Sequence, residues 1–439
     1  MLRFSLIFIF YLFISIVYCA VFKQKKSSLL YLFPLIITFA INVSFSSEKF
    51  VIVGEHISYS VNSTVIFILI LFLFSLSRNF RIDFLYTYFI IKIFYDILQW
   101  NLGQIYNQPK LFTLLVADIT IFLLLIVFVN FPKLNLKNFL YSINYLALVD
   151  GCISILQLIT KKSLLLSNWE GHILYTEGVK DSYRAIGIAG SNNAAGNLGA
   201  ILFIVVLFNV IKNKDNFSKI CLILALVATA LSQTRIGIVA IVICLLFYYG
   251  RNILKDHIIR ITKNQLYLYI TGFVLGISAV LLSLNKILAI LFFDRGNTAS
   301  VRFVQFENVY NFAIKEHFFT GIGLGQWRSF IYSKISLPDV YIHSQYISTL
   351  AEQGIIIFIL FVLFNFYLLI NTLKFFKDET IYYDLTICLF LVNIICSNFN
   401  PNQLYFTNNI VYYMVMFGLY CYGKNKSKST YILTIRGLQ

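Results

Sequence analysis

The sequence predicts an all-α, polytopic membrane protein of about 12 to 13 transmembrane helices, with a long outside loop before the third-last helix. Three observations predict it. Of 439 residues, 59% are hydrophobic and only 12% charged, with a mean hydropathy of +0.79, which is too apolar for a soluble globular chain. Apolar runs near the roughly 20 residues that cross a bilayer recur from end to end. Lys and Arg are also segregated. Placing the C-tail inside puts the connections KQKK, RNFR, PKLNLK, KNKDNFSK, RNILKDHIIRITK and KFFKDE inside with it, and together with the tail these hold 20 of the 35 basic residues. The net charge of +16 is thereby mainly a topology signal and offers no footing for a nucleic-acid partner.

Spans are predicted near 4 to 20, 28 to 44, 62 to 78, 82 to 97, 111 to 131, 139 to 160, 186 to 211, 219 to 232, 236 to 249, 266 to 292, 345 to 373, 382 to 398 and 405 to 422. The first, MLRFSLIFIF onward, is read as a retained helix because no convincing small-residue cleavage site follows it. The halves of 219 to 249 are each short, with Arg235 at the break. Residues 1–439 form a single integral membrane domain in this reading, with outside loops at 161 to 185 and 293 to 344. Both loops hold aromatic residues and regularly placed charges, a composition of folded rather than disordered chain. All seven cysteines lie in apolar runs without a C-x-x-C pair, which predicts membrane-buried thiols.

Within the second loop, Val301, Val304, Val309, Phe312 and Ala313 recur near helical spacing, predicting an amphipathic helix on the bilayer surface. GIGLGQW follows, its glycines marking a turn with close backbone approach. No D-x-D pair is present to hold a metal-bound sugar nucleotide, and there is no H-E-x-x-H. GLYCYGKN, residues 418 to 425, resembles a phosphate loop, but it ends an apolar helix, follows no strand and has Asn425 where Ser or Thr should ligate magnesium.

Three polar constellations stand at helix mouths. In YRAIGIAGSNNAAGNLGA, residues 183 to 200, Arg184 precedes Gly187, Gly190, Gly196 and Gly199. The glycines suit close helix packing, and the arginine either snorkels to headgroups or grips a phosphate bidentately. In LSQTRIGIVA, residues 231 to 240, Ser232, Gln233, Thr234 and Arg235 form either a tight outer turn or a second guanidinium site in the same cavity. In YIHSQYISTLAEQG, residues 341 to 354, His343 is either a headgroup contact or a group suited to take a proton from a sugar hydroxyl. If a helix starts there, Glu352 lies about 180° away at 100° per residue and is expected to pair with a cation on another helix. Lys92 and Asp96, spaced i, i+4, are expected to neutralise one another. Asp118 and Asp150 have no obvious local partner and are read first as polar contacts within the bundle, then as a proton path.

Four segments, YRAIGIAGSNNAAGNLGA, LSQTRIGIVA, RFVQFENVYNFAIKEHFFTGIGLGQW and HSQYISTLAEQGIIIFI, resemble in order the bacterial O-antigen polymerase and O-antigen ligase superfamily of membrane glycosyltransferases. They span the second half of the chain; the first half matches only as unspecific membrane helices. The resemblance implies an inverting, metal-independent transfer of glycan from an undecaprenyl-pyrophosphate-linked oligosaccharide on the outer face of a bacterial cytoplasmic membrane. It implies donor pyrophosphate binding by Arg184, Arg235 and Arg302, catalysis by His343 with Arg184 and Arg235, no cofactor, and a chain-length-determinant protein and membrane lipids as partners. Ser344 stands where Asn often follows the histidine. Polymerase is expected over ligase, since the use of Ile, Phe, Lys and Asn is that of an AT-rich gene, as surface-polysaccharide clusters often are. A flippase or other transporter is the reading from another class, and it would place its functional charges near the midplane.

Overall fold

The computed structural model describes residues 2–21, 26–39, 42–44, 50–52, 55–57, 59–76, 80–103, 105–131, 134–165, 183–255, 271, 298–336 and 340–437. The expected span 266 to 292 and most of the loop 161 to 185 lie outside them. The helices are α1 (Leu2–Val21), α2 (Phe33–Thr38), α3 (Ser63–Ser75), α4 (Tyr86–Leu102), α5 (Gln108–Asn130), α6 (Leu136–Thr160) and α7 (Asn192–Asn213). They continue with α8 (Asn216–Leu231), α9 (Arg235–Lys255), α10 (Thr298–Asn308), α11 (Trp327–Ile335), α12 (Gln345–Phe375), α13 (Thr380–Phe399) and α14 (Phe406–Gly437). Among the described residues, α1, α5, α6, α7, α12 and α13 are long and apolar enough to cross a membrane. The chain is a multi-pass membrane protein.

The expected span at 28 to 44 is not one helix. A 3-10 turn (Lys26–Tyr31) leads into the six residues of α2, and β1 (Asn42–Ser44) then pairs antiparallel with β4 (Ser60–Asn62) in the register Val43 to Val61. Between them, β2 (Phe50–Ile52) pairs with β3 (Glu55–Ile57). Asn62 ends this excursion by capping α3, its side chain accepting from the Thr64 N–H at 2.9 Å. Apolarity alone hid the change because Val43 and Val61 are as hydrophobic as helix residues but alternate with Asn and Ser.

The core is organised around α7, whose apolar window is 89% buried against 11% for α1, so α7 is central and α1 peripheral. It packs on α6, α8, α9, α13 and α14. Small residues make that approach possible: a Cβ on Gly196 would stand 2.3 Å from the Thr234 Cβ, and one on Gly199 2.3 Å from the Thr229 hydroxyl. Buried amides knit the same helices, Asn209 donating to Asn144 at 2.8 Å and Asn144 to Ser218 at 2.8 Å. The seven cysteines are free thiols, five of them buried in the bundle and Cys152 on the surface of the apolar helix α6. Gly418 and Gly423 lie inside α14, packed on Phe139 and Phe375, so GLYCYGKN is helix rather than loop.

The segment from 298 to 344 has its own small core of Val309, Ala313, Ile322, Trp327, Phe330, Ile331 and Ile342, closed by Ala351 of α12. From α10 the helix runs on through a π-helical turn (Val309–Ile314). Val309 and Ala313 face the protein as the periodicity predicts, but Val304 is 57% exposed, and the Val301 side chain lies outside the described residues. The inward face of α10 is thus polar as well as apolar, with Gln305 2% exposed upon it.

Candidate functional site

Arg184 arrives on a turn rather than on a helix. The helix expected from 186 begins at Asn192, and Gly187 and Gly190 hold positive φ of 52° and 82° ahead of it, a region costly for residues with a Cβ. The turn is held from α6. Gln157 accepts the Ile186 and Gly187 N–H groups at 3.0 and 2.8 Å, and Asp150 accepts the Ile188 N–H at 2.9 Å. Asp150, without an obvious partner in the sequence, is therefore a clamp for this turn, and its Oδ1 stands 2.4 Å from where a Gly187 Cβ would be.

The guanidinium of Arg184 is 2% exposed. Its Nε donates to the Ser232 carbonyl at 2.9 Å, and Nη2 lies 3.4 Å from both Asn193 Oδ1 and Thr234 Oγ1. Of the two sequence readings of LSQTR, the tight turn is the one seen in the backbone. The segment is a tight turn between α8 and α9, with Gln233 at φ 53°, and that turn orients Arg184 while starting α9 with Arg235. Thr234 closes the joint by donating to the Asn192 carbonyl at 2.8 Å.

Arg302, half-buried on α10, faces the same place. Among the described residues it makes no hydrogen bond or ion pair. Burial lowers its pKa, and the Arg235 guanidinium lies near enough to lower it further, while Tyr405 opposes them. Tyr405 precedes α14 and is hydrogen-bonded to the Asn193 and Ser191 side chains. Burial pushes its hydroxyl up to about 12, with Arg184 and Arg302 pulling it back. Arg184 and Arg302 thus both act on one neutral phenol, and Arg235 stands near Arg302.

Tyr405 is held by asparagines that the sequence reading passed over. Asn197 donates to Asn402 at 2.7 Å, Asn400 to Asn197 at 2.9 Å, Asn408 to the Ala194 carbonyl at 2.9 Å and Asn409 to the Asn402 carbonyl at 2.8 Å. The available signal was five asparagines between 398 and 409 in a connection short enough to need none.

His343 precedes α12, which begins at Gln345 with Ser344 as its cap, the hydroxyl accepting from the Ile347 N–H at 3.3 Å. The span expected from 345 starts there, leaving His343 just outside the helix, and the serine at the departing position supplies a cap. Gln305 of α10 reaches His343: its Oε1 lies 3.2 Å from the His343 backbone nitrogen and 3.1 Å from Nδ1. Glu352 does not pair with a cation as expected. It accepts the N–H groups of Gly325 and Trp327 at 3.0 and 3.3 Å and the Ser348 hydroxyl at 3.2 Å, so the start of α11 supplies its positive partner.

GIGLG makes the predicted close approach. Gly321, Gly323 and Gly325 all have positive φ, and the Ile322 and Gly323 N–H groups donate to the Ala351 and Glu352 carbonyls at 3.1 and 2.8 Å. Those carbonyls lack helical partners because α12 breaks at Gly354 (φ 75°, ψ 175°). Gln326 pins the far side of the turn, accepting the Tyr106 and Asn107 N–H groups at 3.0 and 2.7 Å.

Deeper in the bundle, Lys92 pairs with Asp96 at 3.2 Å as expected and also with Asp118, and Gln353 donates to the other oxygen of Asp96. A cavity of mixed character lies here, with Lys92, Asp118 and Glu352 facing it beside Phe89, Leu114 and Phe361.

The family model for O-antigen ligase matches residues 220–362. That stretch holds Arg235, Arg302 and His343, and ends short of Tyr405; Arg184 precedes it. Members of the family are membrane enzymes of polysaccharide transfer, of ligase or polymerase type. Comparison with curated proteins gives no match.

Proposed function

We propose that this chain, whose residues 220–362 carry the O-antigen ligase family domain, is a surface-polysaccharide polymerase. It transfers a glycan from undecaprenyl pyrophosphate to the non-reducing end of another lipid-linked repeat at the outer face of the cytoplasmic membrane, with its C-terminus inside. The observation that carries this reading is the meeting of Arg302 with Arg235 and Tyr405, one helical turn along α10 from the glutamine that touches His343. Like charges gathered in partly buried ground are stabilised by an anion, and a pyrophosphate offers charge and bidentate geometry to guanidinium forks.

In this mechanism His343 takes the proton from the acceptor hydroxyl as its oxygen attacks the anomeric carbon. The bond from that carbon to the pyrophosphate oxygen breaks, and its electron pair leaves on the pyrophosphate. Arg184, Arg235 and Arg302 stabilise the charge that develops there, with the neutral Tyr405 hydroxyl as a further donor. A single displacement inverts the anomeric centre. A transporter reading would draw on the cavity beside Lys92 and Asp118, but Lys92 is already closed between two carboxylates, whereas the arginines gather where α8 meets α9.

The test is the electrophoretic profile of surface glycan from a strain lacking the gene. Single repeats on lipid A core without the long-chain ladder identify a polymerase. Accumulation of lipid-linked polymer with no repeat on the core identifies a ligase and overturns the choice of acceptor. An unchanged profile overturns both.

A further inference from the structure

Gln305 is an uncharged residue with every hydrogen-bonding atom engaged. It is 2% exposed, and its Nε2 donates to the carbonyls of Val340 and Tyr341 at 2.9 and 3.2 Å. Carbonyls only accept, so these contacts identify the nitrogen end of the amide. The oxygen end then faces His343, 3.2 Å from its backbone nitrogen and 3.1 Å from Nδ1. The reversed amide is excluded, because it would set NH₂ against a backbone N–H and an oxygen against two carbonyls. An amide oxygen also only accepts, so Nδ1 carries the ring proton and Nε2 the lone pair.

We propose that Gln305 is a positioning residue: it locks His343 in the Nδ1–H tautomer, so that Nε2 is the basic nitrogen offered to the acceptor. The inference rests on the role of His343 given above. The choice of an amide follows from the helix that carries it. Arg302 lies three residues earlier on α10, where side chains of one face meet. A carboxylate at 305 would still accept from Nδ1, but it would set its second oxygen against the Val340 and Tyr341 carbonyls and pair with Arg302, competing with the anionic donor. Glutamine supplies the acceptor without the charge. One turn of α10 therefore carries both Arg302 and the glutamine that holds His343, their Cα atoms about 4.5 Å apart along the axis at 1.5 Å per residue.

The experiment uses full-length protein in nanodiscs with ¹⁵N-labelled histidine. Solid-state NMR reads the ring nitrogens of His343, identified by their loss in His343→Gln, beside turnover of a lipid-linked oligosaccharide. Gln305→Met keeps the shape and removes the acceptor. Its expected result is conversion of His343 to the Nε2–H form or a mixture, with kcat down about 10²-fold, the low end of what a positioned base contributes, and KM unchanged. Gln305→Glu keeps an acceptor for Nδ1 but turns its second oxygen on the Val340 and Tyr341 carbonyls, and is expected to raise KM for the donor. An unchanged Nδ1–H signal in Gln305→Met overturns the inference, and an unchanged donor KM in Gln305→Glu overturns the argument for an uncharged residue. A converted tautomer with undiminished kcat upholds the positioning by Gln305 and overturns the role of His343 as the base.

Discussion

Lys92 and Arg302 are both cations drawn partly or wholly out of water, and they are surrounded in opposite ways. Lys92 on α4 is 6% exposed and sits between Asp96 and Asp118, so one positive charge meets two carboxylates, with Gln353 donating to the second oxygen of Asp96. Arg302 on α10 is half-buried and its charged neighbour is Arg235. The first cluster is complete without any ligand. The second gathers like charge, which an anion would stabilise under the function proposed above. Burial of charge is therefore a poor guide to function, and the sign of the neighbours is a better one.

The comparison can be broken by substitutions that affect the two clusters differently. His343→Ala, beside the open cluster, has the largest expected effect: a loss of about 10²- to 10⁴-fold in transfer rate, measured with purified protein and lipid-linked donor, at unchanged thermal stability. Lys92→Met leaves Asp96 and Asp118 facing each other, and its expected cost is about 3–5 kcal/mol of stability, read as a lower unfolding midpoint in detergent. The triple change Lys92→Met, Asp96→Asn, Asp118→Asn should recover most of that midpoint and retain turnover per folded molecule; if turnover vanished, the inner cluster would be functional. Arg302→Ala should cost about 10²- to 10³-fold in rate, as loss of one donor to a developing oxyanion does, with stability unchanged or raised. Arg184→Lys sharpens the contrast further, since a point charge cannot reproduce the Nε donation to Ser232, and turnover should fall below a tenth. Gly196→Ala has the smallest expected effect, about 1–3 kcal/mol of overpacking, because its Cβ would meet Thr234; the midpoint should fall, with turnover reduced through the displaced 232–235 turn.

Among the described residues, helix positions were legible where apolar runs were long, and the third-last helix does follow the large folded segment. The segment 28 to 44 was not, because short paired strands contain the same valines and isoleucines as helices and differ only in alternation. Arg184, Arg235, Arg302 and His343 could be named because a charged or titratable group at the mouth of an apolar segment is conspicuous. Tyr405 and Gln305 could not. An aromatic among 29 tyrosines acquires meaning only when a fold brings it to Asn193, more than two hundred positions earlier in the chain. Glu352 was misassigned for a related reason: its partners are backbone N–H groups of Gly325 and Trp327, and every residue has one of those except proline.

The break at Gly354 has a mechanical consequence. A helix running straight from Ser344 into the hydrocarbon would pass on every tilt that accommodates a thicker or thinner bilayer. Here the stretch above Gly354 is fastened to residues 318–327 through the Ala351 and Glu352 carbonyls and the Glu352 side chain, and the stretch below starts afresh with the Ile355 N–H donating to the Phe318 carbonyl at 2.9 Å. Glycine at this position works as a corner: both arms of the helix are nailed at the bend to one segment, so the imidazole just above it has a fixed mount.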